Sequence, residues 1–121
     1  MILVDTSVWV DHLRAGNPEP TRLLDAGQVL GHPFVTGELA LGHLRQRAAI
    51  LTALADLPQA ITATDAEVLG FIDRHALAGQ GIGYVDAHLL AATRLTPDAG
   101  FWTADRRLRD AAARLGLAAA G

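Results

Sequence analysis

The chain opens on a three-residue apolar run, Ile2-Leu3-Val4, closed by Asp5, Thr6 and Ser7. A run this short and this apolar reads as a buried strand that hands the chain to a helix N-terminus. Further short runs follow at Gly27–Gly31, Ala60–Thr62 and Gly100–Thr103, with a weaker one at Leu117–Ala119. Between them lie stretches of helical spacing: one from Val8 to Ala15, a short one holding Leu23 and Leu24, Pro33–Arg45, Ala48–Leu57, one through Val68, Leu69, Ile72 and Leu77, Tyr84–Leu95, and Asp105–Leu115. Thr64-Asp65-Ala66-Glu67 matches a capping box, and Gly79, Gly81 and Gly83 form a helix stop and turn. Strands joined through helices need crossover connections, so the expected fold is α/β: an open, mostly parallel sheet of four to five strands with helices on both faces. In such sheets ligands bind beyond the carboxyl ends of the strands.

Composition narrows the chemistry. The 121 residues make one domain, 1–121, half of whose residues are hydrophobic. There is no cysteine, which excludes disulfides, thiolate metal sites and thiol nucleophiles. All ten positive charges are arginine. Without lysine there is no P-loop, no Schiff-base amine and no ordinary phosphoacceptor receiver domain. No stretch reaches the ~18 apolar residues of a membrane span, and no basic segment precedes the first run, so a cytoplasmic protein with no membrane partner is expected.

Two aspartates sit where the sheet would present a ligand site: Asp5 closes the first strand, and Asp105 follows Phe101-Trp102-Thr103. Two more acids lie on helices. Glu38 is four residues after Phe34 and three before Leu41, and Asp86 precedes Leu89 and Leu90, so both carboxylates lean toward apolar faces. Taken singly, each is accounted for as a cap or a solvated side chain. Four carboxylates at one sheet edge repel, and an all-oxygen nest of this kind suits Mg²⁺ or Mn²⁺.

Those residues lie in four segments that together resemble the VapC-type toxins of the PIN-domain ribonucleases. They are Met1-Ile2-Leu3-Val4-Asp5-Thr6-Ser7-Val8-Trp9, Thr36-Gly37-Glu38-Leu39, Gly83-Tyr84-Val85-Asp86-Ala87-His88-Leu89-Leu90-Ala91-Ala92 and Trp102-Thr103-Ala104-Asp105-Arg106-Arg107-Leu108. The resemblance implies a PIN fold and a metal-dependent endoribonuclease toxin of a type II toxin–antitoxin pair, which hydrolyses RNA phosphodiesters with a metal-activated water. It implies Asp5, Glu38, Asp86 and Asp105 as catalytic metal ligands for Mg²⁺ (or Mn²⁺), with Thr6 and Thr103 as supporting hydroxyls. The same hydroxyls read equally well as caps of the helices that follow. A catalytically silent PIN-like module that works by protein association is the competing reading.

The implied partners are RNA, a VapB-type antitoxin and a second copy of the chain. Trp9 with Leu39, Leu41 and Leu44 exceeds what one small core needs, which favours a homodimer. The net charge of −3 argues against a broad basic face, although setting the four acids aside brings the chain to +1. Arg106 with Arg107, and Arg45 with Arg47, are the candidate phosphate contacts, each pair also readable as a solvated helix face. The histidines at 12, 32, 43, 75 and 88 lack metal-ligand spacing and read as structural or surface residues, with His88 singled out because it follows Asp86 by two positions.

Overall fold

The structure is a computed structural model that describes residues 1–15 and 18–119. Among these residues, three strands form a parallel sheet: β1 (Ile2–Val4), β2 (Val29–Leu30) and β3 (Gly100–Trp102), in the order β2-β1-β3. The first strand is therefore central. Leu3 pairs with Leu30 on one side and with Phe101 on the other, and Leu3 and Val4 are fully buried. This explains the unbroken apolar run, because a strand covered on both faces has no polar side to show.

Among the described residues, seven helices surround the sheet: α1 (Thr6–Ala15), α2 (Pro18–Asp25), α3 (Pro33–Ala40), α4 (Arg47–Asp56), α5 (Asp65–Arg74), α6 (Tyr84–Leu95) and α7 (Arg106–Arg114). From β1 the chain crosses through α1 and α2 to one neighbour, and from β2 it crosses back over β1 through α3 to α6 to the other. The two crossovers run in opposite directions, and β1 marks the point where direction switches.

Two expected strands shrink to single bridges. Ala60–Thr62 contributes only a parallel bridge one residue earlier, Gln59 to Gly31, and the C-terminal segment contributes Ala118 to Phe101. The sheet thus has three strands with a one-bridge extension at each edge, short edges that leave little unpaired backbone to a second sheet.

The expected helix Pro33–Arg45 stops at Ala40. Arg47 Nη2 donates to the Ala40 carbonyl at 2.8 Å, tying the helix end to the start of α4, and Gln46 takes the left-handed φ of 53° that turns the chain. The apolar residues expected to share its inner face are displaced accordingly. Val35 and Leu39 are buried, whereas Leu41 is 90% exposed. Trp9 and Leu39 belong to the core and are not surplus apolar surface.

At Thr64 the capping box is present as read: the Glu67 amide donates to Thr64 Oγ1 at 3.1 Å, and the Thr64 amide donates to Glu67 Oε1 at 2.9 Å. The helix it opens ends at Arg74, short of Leu77. The glycine turn forms with φ of +76° at Gly79 and +77° at Gly81. At Gly81 a β-carbon would also fall 2.6 Å from Arg107 Nη1, so the turn is closed by an arginine lying over it.

His32 caps α3 with its ring, Nδ1 accepting the Phe34 amide at 3.0 Å. The Phe34 ring lies edge-on between His32 at 5.2 Å and His88 at 4.8 Å, which ties α3 to α6. His32 is fully buried. Burial, with His88 close by, pushes its pKa from 6.5 down to about 4.

The unfolded chain therefore binds this proton more readily than the folded one. His32's contribution to stability is complete above pH 6.5 and is lost as pH falls through about 4. His32→Asn keeps a capping acceptor and removes the titration. Relative to the parent, its unfolding free energy should be flatter by about 1.4 kcal/mol per pH unit within that window, measured by urea titration at stepped pH.

Candidate active site

Parallel pairing delivers β1 and β3 to the same edge with their ends aligned. The ladder extends one step beyond the strands, the Asp5 amide donating to the Trp102 carbonyl at 2.8 Å. Asp5 and Thr103 thus leave the sheet as neighbours. Both are buried, and Thr103 Oγ1 donates to Asp5 Oδ2 at 2.8 Å. Ser7 Oγ donates to the same oxygen at 2.7 Å. Each hydroxyl also accepts from the chain beyond β3, Ser7 Oγ from the Ala104 amide and Thr103 Oγ1 from the Asp105 amide, both at 3.0 Å. One carboxylate oxygen therefore fixes α1 against the start of α7 through two hydroxyls.

Asp105 caps α7, its Oδ1 accepting the Leu108 amide at 3.0 Å. Asp86 lies in the first turn of α6, and its Oδ2 accepts the Gly83 amide at 2.9 Å. Glu38 stands on the exposed side of α3, next to the buried Leu39, and accepts from Thr6 Oγ1 at 2.7 Å. The expectation that Glu38 lies on an apolar inner face is thereby corrected: α3 buries the neighbouring stripe and holds Glu38 at the rim.

Half-buried Asp86 senses the other three. Its pKa is raised first by burial, against the stabilising Gly83 amide, and further by the negative charges of Asp5, Asp105 and Glu38. The four acids named from sequence thus share one electrostatic neighbourhood. The two hydroxyls divide: Thr103 both orients Asp5 and receives the Asp105 amide, while Thr6 donates to Glu38. Ser7, which the sequence reading passed over, makes two of the bonds that position the site; its place in the Asp5-Thr6-Ser7 run was the available signal.

Each acid commits one oxygen to neutral donors. The donor set is all oxygen and carries several negative charges, which is the chemistry of a hard divalent cation. Among the described residues, no three acids or histidines already stand at the spacing of a single coordination shell.

His88 is a tie within the fold. Its Nε2 lies 3.1 Å from Asp65 Oδ1, which also accepts from the Tyr84 hydroxyl at 2.9 Å, and the buried ring packs edge-on against Tyr84.

This architecture, a central parallel strand ending in an acid at the topological switch point, defines an α/β domain with a carboxylate site at its carboxyl edge. A family model described as PIN domain matches residues 2–114. Ribonuclease VapC32 of Mycobacterium tuberculosis, in strains CDC 1551 and H37Rv, is 47% identical to this chain over 120 residues, covering 99% of this chain and 97% of the relative. The chain belongs to the PIN-domain family and, within it, to the VapC-type ribonucleases.

Two substitutions test the site's physics directly. Asp86→Asn keeps the acceptor for Gly83 and removes a charge that its neighbours oppose, so in chelator the variant should melt at higher temperature than the parent. Thr103→Val removes a buried donor to a carboxylate and an acceptor for the Asp105 amide; its cost should be about 1.5–3 kcal/mol in urea denaturation.

Proposed function

We propose that this chain is a metal-dependent endoribonuclease and acts as the toxin of a type II toxin–antitoxin pair. The single observation that carries this reading is the convergence of Asp5, Glu38, Asp86 and Asp105 on the carboxyl edge of β1 and β3, in a chain of the VapC type. The name of its mycobacterial relative, a ribonuclease, supports RNA as the substrate. A VapB-type antitoxin and self-association into a homodimer are part of the same proposal, as is a cytoplasmic site of action. No helix among the described residues is long and apolar enough to cross a membrane.

Asp5 and Asp86 would hold the cation, Mg²⁺ or Mn²⁺, with Glu38 and Asp105 completing the rim. A divalent cation there supplies Lewis acidity: it makes a water more acidic and offsets charge on the phosphate. The chain's own work is positional. Ser7 and Thr103 fix the Asp5 carboxylate, the Gly83 amide fixes Asp86, and the Leu108 amide fixes Asp105. Each group therefore meets its ligand with little freedom left to lose. Asp86, with its raised pKa, keeps a proton to higher pH than an ordinary aspartate. Cation affinity should accordingly fall as the solution is acidified through that group's titration.

The test is cleavage of a defined RNA by the parent, Asp5→Asn and Asp86→Asn, with melting temperatures recorded alongside. At a hundred times its dissociation constant, the cation should stabilise the parent by about 2.7 kcal/mol, and both substitutions should abolish most of that gain together with RNA cleavage. Undiminished cutting by both variants overturns the catalytic assignment. A parent that neither binds cation nor cuts RNA would instead be the silent protein-binding module.

A further inference from the structure

The structure also shows where RNA can run once it leaves the acid rim. A cleft of about 690 Å³ lies between α1 and the segment from the end of α3 into α4. Thr6 and Glu38, the hydrogen-bonded pair at the edge of the acid cluster, line one part of it. Thr6, Val10 and Arg14 line it at intervals of four residues, so the cleft follows one stripe of α1 for about 12 Å away from the acids. Leu39, Leu44 and Ile50 contribute apolar wall, and Arg45 lines it from the turn opposite.

Two charges here are unengaged among the described residues. Among the described residues, neither Arg14 nor Arg45 hydrogen-bonds or ion-pairs with any group, and both are exposed. Arg47, adjacent in sequence, is different, because its guanidinium is spent on the Ala40 carbonyl. The last turn of α1 gives a helix-dipole reason for Arg14. It gives none for Arg45, which sits on a turn and lines the same cleft.

We propose that this cleft carries a single-stranded RNA segment flanking the cut, with Arg14 and Arg45 each contacting a backbone phosphate and the apolar wall receiving unstacked bases. The inference rests on the ribonuclease reading and adds to it a strand path and two binding residues. Charge complementarity decides the occupant. An acid rim repels phosphate, so a strand passing over it needs cations on its flank, and the described residues offer two unengaged ones in a cleft also lined by Glu38 of that rim. A duplex hides its base faces and would waste the apolar wall, whereas an unpaired strand can present them.

Arg14→Gln and Arg45→Gln, singly and together, test this. Both residues are exposed, so the variants should fold, which thermal melting checks. In cleavage of a short single-stranded RNA, the double variant should raise KM about tenfold and leave kcat within about twofold. In an Asp86→Asn background, where nothing is cut, fluorescence anisotropy with the same RNA should give a plot of log affinity against log salt that is shallower by about 1.4 in the double variant. Each lost phosphate contact on a single strand accounts for about 0.7 of that slope.

Unchanged KM and an unchanged salt slope overturn the proposal. So does a double variant that loses binding of an acidic, amphipathic helical peptide while its affinity for RNA stays the same, because the cleft would then be a protein-docking groove. A parent that fails to cut RNA defeats the ribonuclease reading instead. The anisotropy comparison, which needs no turnover, still decides the cleft.

Discussion

Like charge at short range is the constraint around which the carboxyl edge of this sheet is arranged. Four acids meet there, and each is held by a neutral donor: hydroxyls for Asp5 and Glu38, backbone amides for Asp86 and Asp105. Among the described residues, no arginine hydrogen-bonds any of them. A guanidinium would have fixed the same carboxylates more strongly, and it would also have cancelled the charge that makes the rim useful. Hydroxyls and amides orient a carboxylate and leave its charge in place.

The stability that this arrangement sacrifices is recovered in the layers beneath it. β1 is central, paired on both sides, and fully buried at Leu3 and Val4. α6, which carries Asp86 in its first turn, is buried continuously from Ala87 to Thr93. The Phe34 ring, held between His32 and His88, locks α3 against that helix and so sets Glu38 relative to Asp86. Strain at a functional edge persists only where the surroundings over-determine the geometry, and here the over-determination comes from a central strand and one deeply buried helix.

What was legible in the sequence is what depends on neighbours in the chain. The capping box at Thr64 and Glu67, the glycine turn before Tyr84 and the bounds of α6 are local patterns, and they appear as read. The positions of Asp5, Asp86 and Asp105 were legible because strand ends and helix starts are local too, whereas Glu38, in the middle of α3, was placed on the wrong face. The end of α3 was not legible. Apolar spacing runs on past Ala40, and the helix is stopped by an arginine seven residues further along that ties down the Ala40 carbonyl. Phe34, Leu41 and Leu44 accordingly misled, since the larger side chains of this segment mark its rim and the smaller Val35, with Leu39, marks the core. The edge strands failed for a related reason: β-propensity says nothing about whether a partner leaves room for more than one bridge.

Charge shows the same limit most sharply. Sequence adjacency groups the arginines as Arg45 with Arg47 and Arg106 with Arg107, whereas the fold gives Arg45 and Arg47 different engagements. Arg47 straps a turn while Arg45 lines a cleft, and Arg107 lies over Gly81. The pairing that matters physically joins residues 14 and 45, which no local pattern connects. A net charge of −3 therefore says little about affinity for a polyanion. Negative charge drawn into one rim and positive charge set along one adjoining cleft produce a field with direction, and a strand responds to that local field before it responds to the sum.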